Sequence, residues 1–303
     1  MVMKNKIVSA VLVGLVMLMA GCDYVDQPYT VPGPNGCTVS EPSFTPRTSP
    51  VRKVLVEDIT GHRCGNCPRA AETIENLMNT YGEQIIALGL HSELSQDFTD
   101  VYSSDTLVNP SLKFSYDFRT VTATQIDEHF GVSTAGLPNG MVNRKNYGGS
   151  VVAGYTTWST HVASELTLPQ QMDIQLKNFW TPADSSICSF YFVEALADLN
   201  ANYKICMFIM EDSIVNWQKD YAASPTDIPA YLHRHVLRGS VNGTWGTAVN
   251  SNTVIADGEQ FIQGFSTKID PSKWNIHHLY IVAFVYDATT FEVIQAEETK
   301  FLP

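Results

Sequence analysis

The stretch DITGHRCGNCPRAAETIENL, Asp58 to Leu77, places Cys64 and Cys67 three positions apart. Two thiols at that spacing can exchange disulfides, supply half of a metal site, or form an inert cross-link. From Pro68 onward Ala70, Ala71, Ile74, Leu77, Met78 and Tyr81 recur every three or four residues, which predicts a helix starting at the pair. Unpaired N–H groups at a helix start, with the positive end of its dipole, favour a thiolate on Cys64, and the thiolate is the nucleophile. His62, Arg63 and Arg69 add cationic neighbours in sequence. Cys67, one turn away, is placed to resolve a mixed disulfide. Pro68 falls in the first turn, where a missing N–H costs little.

The elements that must hold the pair are legible around it. VRKVLVEDI reads as a strand, TGHR as a turn, and EQIIALGLH as a second buried strand. Strand, dithiol, helix, strand resembles the opening half of a thioredoxin-like domain. That resemblance implies a cis-proline facing the dithiol, for which STAGLPNGMVNR offers Pro138, and a buried carboxylate that moves a proton for the second cysteine. Asp58 fits that place, with Glu57 next; a solvent-facing turn residue is an equal reading of Asp58. The exchange chemistry requires Cys64 to be reachable from solvent and Pro138 to lie near it. Some features depart from the pattern: Arg63 stands where tryptophan is usual, and Gly65–Asn66 replaces Gly-Pro. A helical insertion at about 92–136, with helices expected at SLKFSYDF and TATQIDEHF, is long enough to cover the dithiol. GYTTWSTHVASEL closes the domain, predicted over 51–168.

A static disulfide suits an exported protein, although so short a loop adds little stability. Zinc normally needs four ligands and only one close cysteine pair exists, with His62 and His91 as the possible complement; no metal is expected. His233 and His235, two apart in YLHRHVLRG, would share one face of a strand, with nothing nearby to complete a metal set. If the strands carrying Cys188 and Cys206 formed a hairpin, the register would hold the two cysteines roughly 20 Å apart. Each is then a buried apolar residue or pairs elsewhere. Cys37 reads as a free thiol able to exchange with Cys64, or as a spare surface residue. There is no Gly-rich phosphate loop and no serine-elbow pattern, and no cofactor is expected.

The N-terminus sets the compartment. Lys4 and Lys6 precede an apolar run from Ile7 to Ala20 and then Gly21–Cys22, a signal peptide over 1–21 that ends like a bacterial lipobox. Cys22 would carry the lipid. Six prolines between residues 28 and 50 predict an extended tether over 22–50. The formal charge of −12 argues against nucleic acid and anionic headgroups as partners. Beyond about residue 169 nearly every segment reads as a short strand, which predicts an all-β sandwich over 169–303 with Tyr191, Phe192, Tyr280, Phe284 and Tyr286 in its core.

LMAGC, the proline-rich tether, VEDITGHRCGNCPRAAE, GLPNGMVNR, IMEDSIVNWQ and YLHRHVLRGSVNGTWG together resemble the 28-kDa outer-membrane-protein-related lipoproteins of the Bacteroidetes. The resemblance implies attachment to the outer membrane through Cys22 and a thioredoxin-like α/β domain followed by an all-β immunoglobulin-like sandwich. It implies no established reaction. Two functions follow as expectations. One is thiol–disulfide exchange on envelope or surface proteins through Cys64, Cys67, Asp58 and Pro138. The other is a non-enzymatic adhesin or binding lipoprotein with a static disulfide.

Overall fold

Strand β1 (Val54–Ile59) is buried along its whole length, because both of its faces are covered. Val54 and Val56 face helix α1 (Cys67–Tyr81) and helix α4 (Trp158–Leu166), packing with Ala70, Ile74, Leu77, Trp158 and Val162. Leu55 and Ile59 point the other way, toward Ala123 and Ile126 of α3 (Val121–Phe130). A four-residue helix, α2 (Gln96–Thr99), precedes α3. The computed structural model describes residues 36–101, 113–200, 202–250 and 254–302. Cys22 and the signal segment lie outside the described residues.

Around β1 the sheet is mixed. β2 (Ile85–Leu90) runs parallel to it, as a strand reached through a crossover helix must be able to do. β3 (Asn139–Val142) runs antiparallel and in turn pairs with β4 (Ala153–Gly154). Gly140 is held where Glu57 and Trp158 converge: a Cβ there would stand 2.2 Å from the Glu57 carbonyl oxygen and 2.7 Å from the Trp158 ring. Gly140→Ala is therefore expected to destabilise the fold by roughly 3 kcal/mol, read as a shift in the denaturant midpoint with unchanged slope.

The C-terminal half is nearly all strand, and its segments fall into three sheets. β5 (Met172–Thr181), β6 (Ser186–Ala195) and β12 (Gln260–Lys268) form an antiparallel sheet in the order β12-β6-β5. β7 (Tyr203–Glu211), β13 (Leu279–Asp287) and β14 (Val293–Lys300) join the first sheet instead. β10 (Val236–Ser240) links them: it lies antiparallel to β7 and meets β2 in parallel at Val236 and Gly89. With β11 (Thr247–Ala248) on β7, this gives a nine-stranded sheet ordered β14-β13-β7-β10-β2-β1-β3-β4. β8 (Ile214–Lys219) and β9 (Asp227–His233) form a separate hairpin.

The core between the β5–β6–β12 sheet and the β7–β13 region is apolar, with Ile187, Tyr191 and Val193 against Ile205, Met207, Ile281 and Val285. The architecture is thus a mixed α/β sheet unit plus sandwich-like sheets. Strands from both sides of the expected boundary at 168/169 share one continuous sheet, and all described residues belong to one compact unit. Arg52 donates to the Glu165 carboxylate at 2.8 Å and to the Ile294 carbonyl at 3.1 Å, and Lys53 pairs with Glu297, so polar contacts also cross that boundary.

Several expectations need correction. YLHRHVLRGSV is not one strand. It breaks at Arg234–His235, where the Asp212 carboxylate accepts from the Arg234 guanidinium at 2.6 Å and from the His235 N–H at 3.2 Å, and His235 adopts φ 56°. Residues 113–118 turn rather than form a helix, with Phe114 at φ 55°. Of the aromatics expected between the sheets, Tyr191 is there, whereas Phe284 and Tyr286 face α3 and Phe192 lies on the outer face of its sheet, stacked on Phe44 at 5.4 Å. That stacking shows that the described part of the tether, from residue 36, is docked. Lys177 reaches the Ser43 carbonyl at 2.6 Å, Gln175 the Thr45 carbonyl at 2.9 Å, and Arg47 the Asp173 carboxylate at 2.9 Å. Among the described residues no helix is long and apolar enough to cross a membrane.

Candidate functional site

The loop leaving β1 is folded by two backbone bonds, Cys64 N–H to the Gly61 carbonyl at 3.0 Å and Cys67 N–H to the Cys64 carbonyl at 3.3 Å. Helix α1 then starts at Cys67 with Pro68 in its first turn. Cys64 and Cys67 form a disulfide, with Cα atoms 5.4 Å apart. Each is only 2 % exposed, so Cys64 is not open to solvent in this structure.

The cover comes from a segment that sequence reasoning did not connect with the site. The Lys219 N–H donates to the His62 carbonyl at 2.8 Å, the Gln218 side-chain amide to the Cys64 carbonyl at 3.0 Å, and the Tyr221 N–H to the Gly65 carbonyl at 2.9 Å. The Tyr221 ring rests on Gly65 so closely that a Cβ there would lie 2.5 Å from it. Arg69 anchors the same strap through Asp220 at 2.7 Å. The insertion closes the other side: the Phe98 carbonyl accepts from the Arg63 N–H at 2.9 Å, and Phe114 and Phe118 pack on the His62 ring, each with centroids 5.5 Å away.

These contacts change the electrostatics. Burial pushes the His62 imidazole down to about 3, so it is neutral at pH 7. The Arg63 guanidinium donates to the Asp100 carbonyl at 3.2 Å, and Arg69 is committed to Asp220. The cationic support expected from sequence is thus spent on neighbours, which leaves the helix start facing the sulfurs.

Asp58 is buried, not a solvent-facing turn residue. It pairs with Gly89 on one side and Gly140 on the other, and shares the face of Val54 and Val56 that α1 covers. Loss of hydration pushes its carboxyl up to about 8, and its Oδ1 has no hydrogen-bond partner among the described residues. A cleft of about 740 Å3 is lined by Asp58, Cys67, His91, Asp220, Tyr231 and His233. It reaches Cys67, not Cys64. Glu57 points to the opposite face and is engaged with Arg144.

Pro138 directly precedes β3, whose first residue, Asn139, pairs with Ile59. It therefore sits at the end of β1 from which the dithiol loop departs. The Leu137–Pro138 peptide is cis.

Of the remaining candidates, His233 and His235 both line the cleft beside Asp58. His233 ends β9 and packs on Phe118 at 4.6 Å, whereas His235 belongs to the turn beyond it, so the two do not share a strand face. Among the described residues no group of three His, Cys, Asp or Glu side chains is arranged to hold a metal. Cys188 and Cys206 belong to different sheets and different core clusters, which separates them more simply than a hairpin register would. Cys37 is buried beside Cys188, neither a surface residue nor packed at the dithiol.

The chain is thus a two-part α/β and β protein: one sheet joins a unit with a disulfide at the start of its first helix to a sandwich-like half. The chain belongs to the outer membrane protein Omp28 family, whose model matches residues 123–301, more than half of its length. That range begins after the dithiol. Among solved structures, HBP35 of Porphyromonas gingivalis is 18% identical, with a TM-score of 0.57 over 84% of this chain and 76% of that one, which shows a shared fold. A structural-genomics protein from Agrobacterium tumefaciens is 10% identical, with a TM-score of 0.43 over 84% of this chain and 96% of its own. A search of curated proteins finds no match.

Proposed function

We propose that this chain is an outer-membrane lipoprotein, held by a lipid on Cys22, whose thioredoxin-like unit exchanges disulfides with envelope or surface proteins through Cys64 and Cys67. The strand order β2-β1-β3-β4, with β2 parallel and β3 antiparallel to β1, supports the thioredoxin-like reading. The two sheets packed about Tyr191 support an immunoglobulin-like second half.

One observation carries the chemistry. Asp58, buried and lacking a partner on Oδ1, lines the same cleft as Cys67 and has its pKa raised to about 8. A static bridge has no use for such a group, whereas a proton carrier needs a pKa near the working pH. In the exchange, a client thiolate attacks the Cys64 sulfur and the Cys64–Cys67 bond breaks. The Cys67 thiolate takes the proton held by Asp58. A second client thiol then displaces Cys64, leaving the client oxidised and the pair reduced; the reverse sequence reduces a client. Attack at Cys64 requires the strap at Gln218–Tyr221 to part from Gly65.

A second reading, a binding lipoprotein with a structural disulfide, is favoured by the burial of both sulfurs beneath that strap. Cys67→Ser separates the two. Exchange predicts mixed disulfides trapped through Cys64 on a non-reducing gel, lost again when Cys64 is also replaced. It further predicts that Tyr221→Ala speeds reduction of the wild-type pair about tenfold, equivalent to about 1.4 kcal/mol of covering contact. If no adduct forms in Cys67→Ser even with Tyr221→Ala, the bridge is structural.

A further inference from the structure

The outer face of the β5–β6–β12 sheet holds a second pair of cysteines. Cys37 and Cys188 are buried together with Phe190, and Val39, Phe44 and Phe179 pack around them. Their positions are set from two directions. Cys188 lies opposite Ser266 in the β6–β12 ladder, and Gly36 rests against that same serine, where a Cβ would stand 3.7 Å from the Ser266 Cβ. Cys37 thus follows a residue already anchored one strand from Cys188, and the two side chains pack in one buried cluster. Downstream, the Phe44–Phe192 stack and the bonds from Lys177 and Gln175 hold the segment along the same face.

We propose that Cys37 and Cys188, which are free thiols in the structure, become a disulfide in the exported protein, stapling the N-terminal segment to β6. The oxidant is a low-molecular-weight disulfide of the oxidising compartment. One protein thiolate attacks it, releasing one small thiol and forming a mixed disulfide. The second protein thiol, losing its proton to the medium, displaces the other small thiol. Two protein thiols and one small disulfide become one protein disulfide and two small thiols. Burial raises the Cys37 thiol far above its ordinary range, so it is a weak nucleophile while the segment is docked. Cys206, buried on another face with its Sγ donating to the Thr244 carbonyl at 3.4 Å, stays a thiol.

The test is thiol mapping of the full chain, made with its own leader and recovered from the cell envelope. It is denatured in an alkylating reagent without reductant, digested and weighed by mass spectrometry. The expected result is a peptide containing Cys37 joined to one containing Cys188, with Cys206 alkylated. Alkylation of both Cys37 and Cys188, in this material and after refolding with oxidised glutathione, overturns the proposal, as does a bond from either one to any other cysteine. The wild-type chain decides the matter, so the folding of a Cys188→Ala variant does not enter.

Discussion

Arg144→Met is expected to destabilise the protein by about 3–5 kcal/mol, because it strands a carboxylate inside the fold. Arg144 is fully buried and grips Glu57 with two bonds, Nε to Oε2 at 2.7 Å and Nη2 to Oε1 at 2.6 Å. Its guanidinium also sits 4.8 Å from the centre of the Phe284 ring and 5.3 Å from that of Phe130, with Tyr286 at 5.9 Å. The pair therefore joins β1 to the residues that follow β3 and presses both onto aromatics of β13 and α3. Removing the arginine leaves the Glu57 carboxyl buried without its partner. Arg144→Lys does little better, since an ammonium cannot reproduce the two-pronged contact.

A double-mutant cycle gives this expectation a sharp form. Glu57→Leu combined with Arg144→Met removes both charges, so the double variant should be more stable than either single one and the coupling should exceed about 2 kcal/mol. Additive losses measured by denaturant unfolding would mean that the two residues act separately. The cycle bears on the site as well, because Glu57 precedes Asp58 and fixes the opposite face of the strand that carries it. A loosened β1 is expected to hydrate Asp58 and return its pKa toward the ordinary range.

What was legible in the sequence follows from the range of the forces involved. The β-branched run VRKVLVEDI marks β1, although Asp58 near its end reads equally as a buried carboxylate and a turn residue, and apolar residues every three or four positions place α1 to within one residue. Such local patterns encode strands and helices directly. The break at Arg234–His235 was hidden, because the residues around it favour strand and the turn is imposed by Asp212, more than twenty positions away. Prolines between 28 and 50 signal irregular backbone and so predict an extended tether. Irregular backbone can still dock, and Cys37, Val39 and Phe44 were the apolar residues that marked where. Phe114 and Phe118 are spaced as on a helix, yet both are drawn onto His62 by contacts no local pattern contains. The strap over Gly65 is hidden for the same reason, although IMEDSIVNWQ, which ends in its first residue Gln218, is part of the family resemblance.

Stability is expected to peak near pH 6.5 and to fall on both sides for different reasons. On the acid side the cause is a set of histidines buried neutral: His62 at about 3, His233 and His235 at about 4, and His91 well below its ordinary range, each shifted first by loss of hydration. Below about 6.5 the unfolded chain protonates all of them while the folded chain does not, so each contributes a slope of about 1.4 kcal/mol per pH unit, with stability rising as pH rises. The two carboxyls raised most by burial oppose this. Asp58 at about 8 and Glu298 at about 7, both raised by burial, keep their protons in the fold after the unfolded chain has lost them, so their contribution falls as pH rises. Four rising slopes against two falling ones leave a net gain of about 2.7 kcal/mol per unit between roughly pH 4.5 and 6. Above 6.5 the histidine slopes fade over about one unit while the carboxyl slopes remain, so stability declines by about 1 kcal/mol toward pH 8. Melting curves at half-unit steps from pH 4.5 to 8.5 check both arms. Asp58→Asn cannot ionise, so it should flatten the decline between pH 7 and 8 while leaving the acid arm in place. A wild-type melting temperature that does not change from pH 5 to 8 would mean these groups are hydrated in solution. Asp58 would then have no raised pKa with which to serve Cys67.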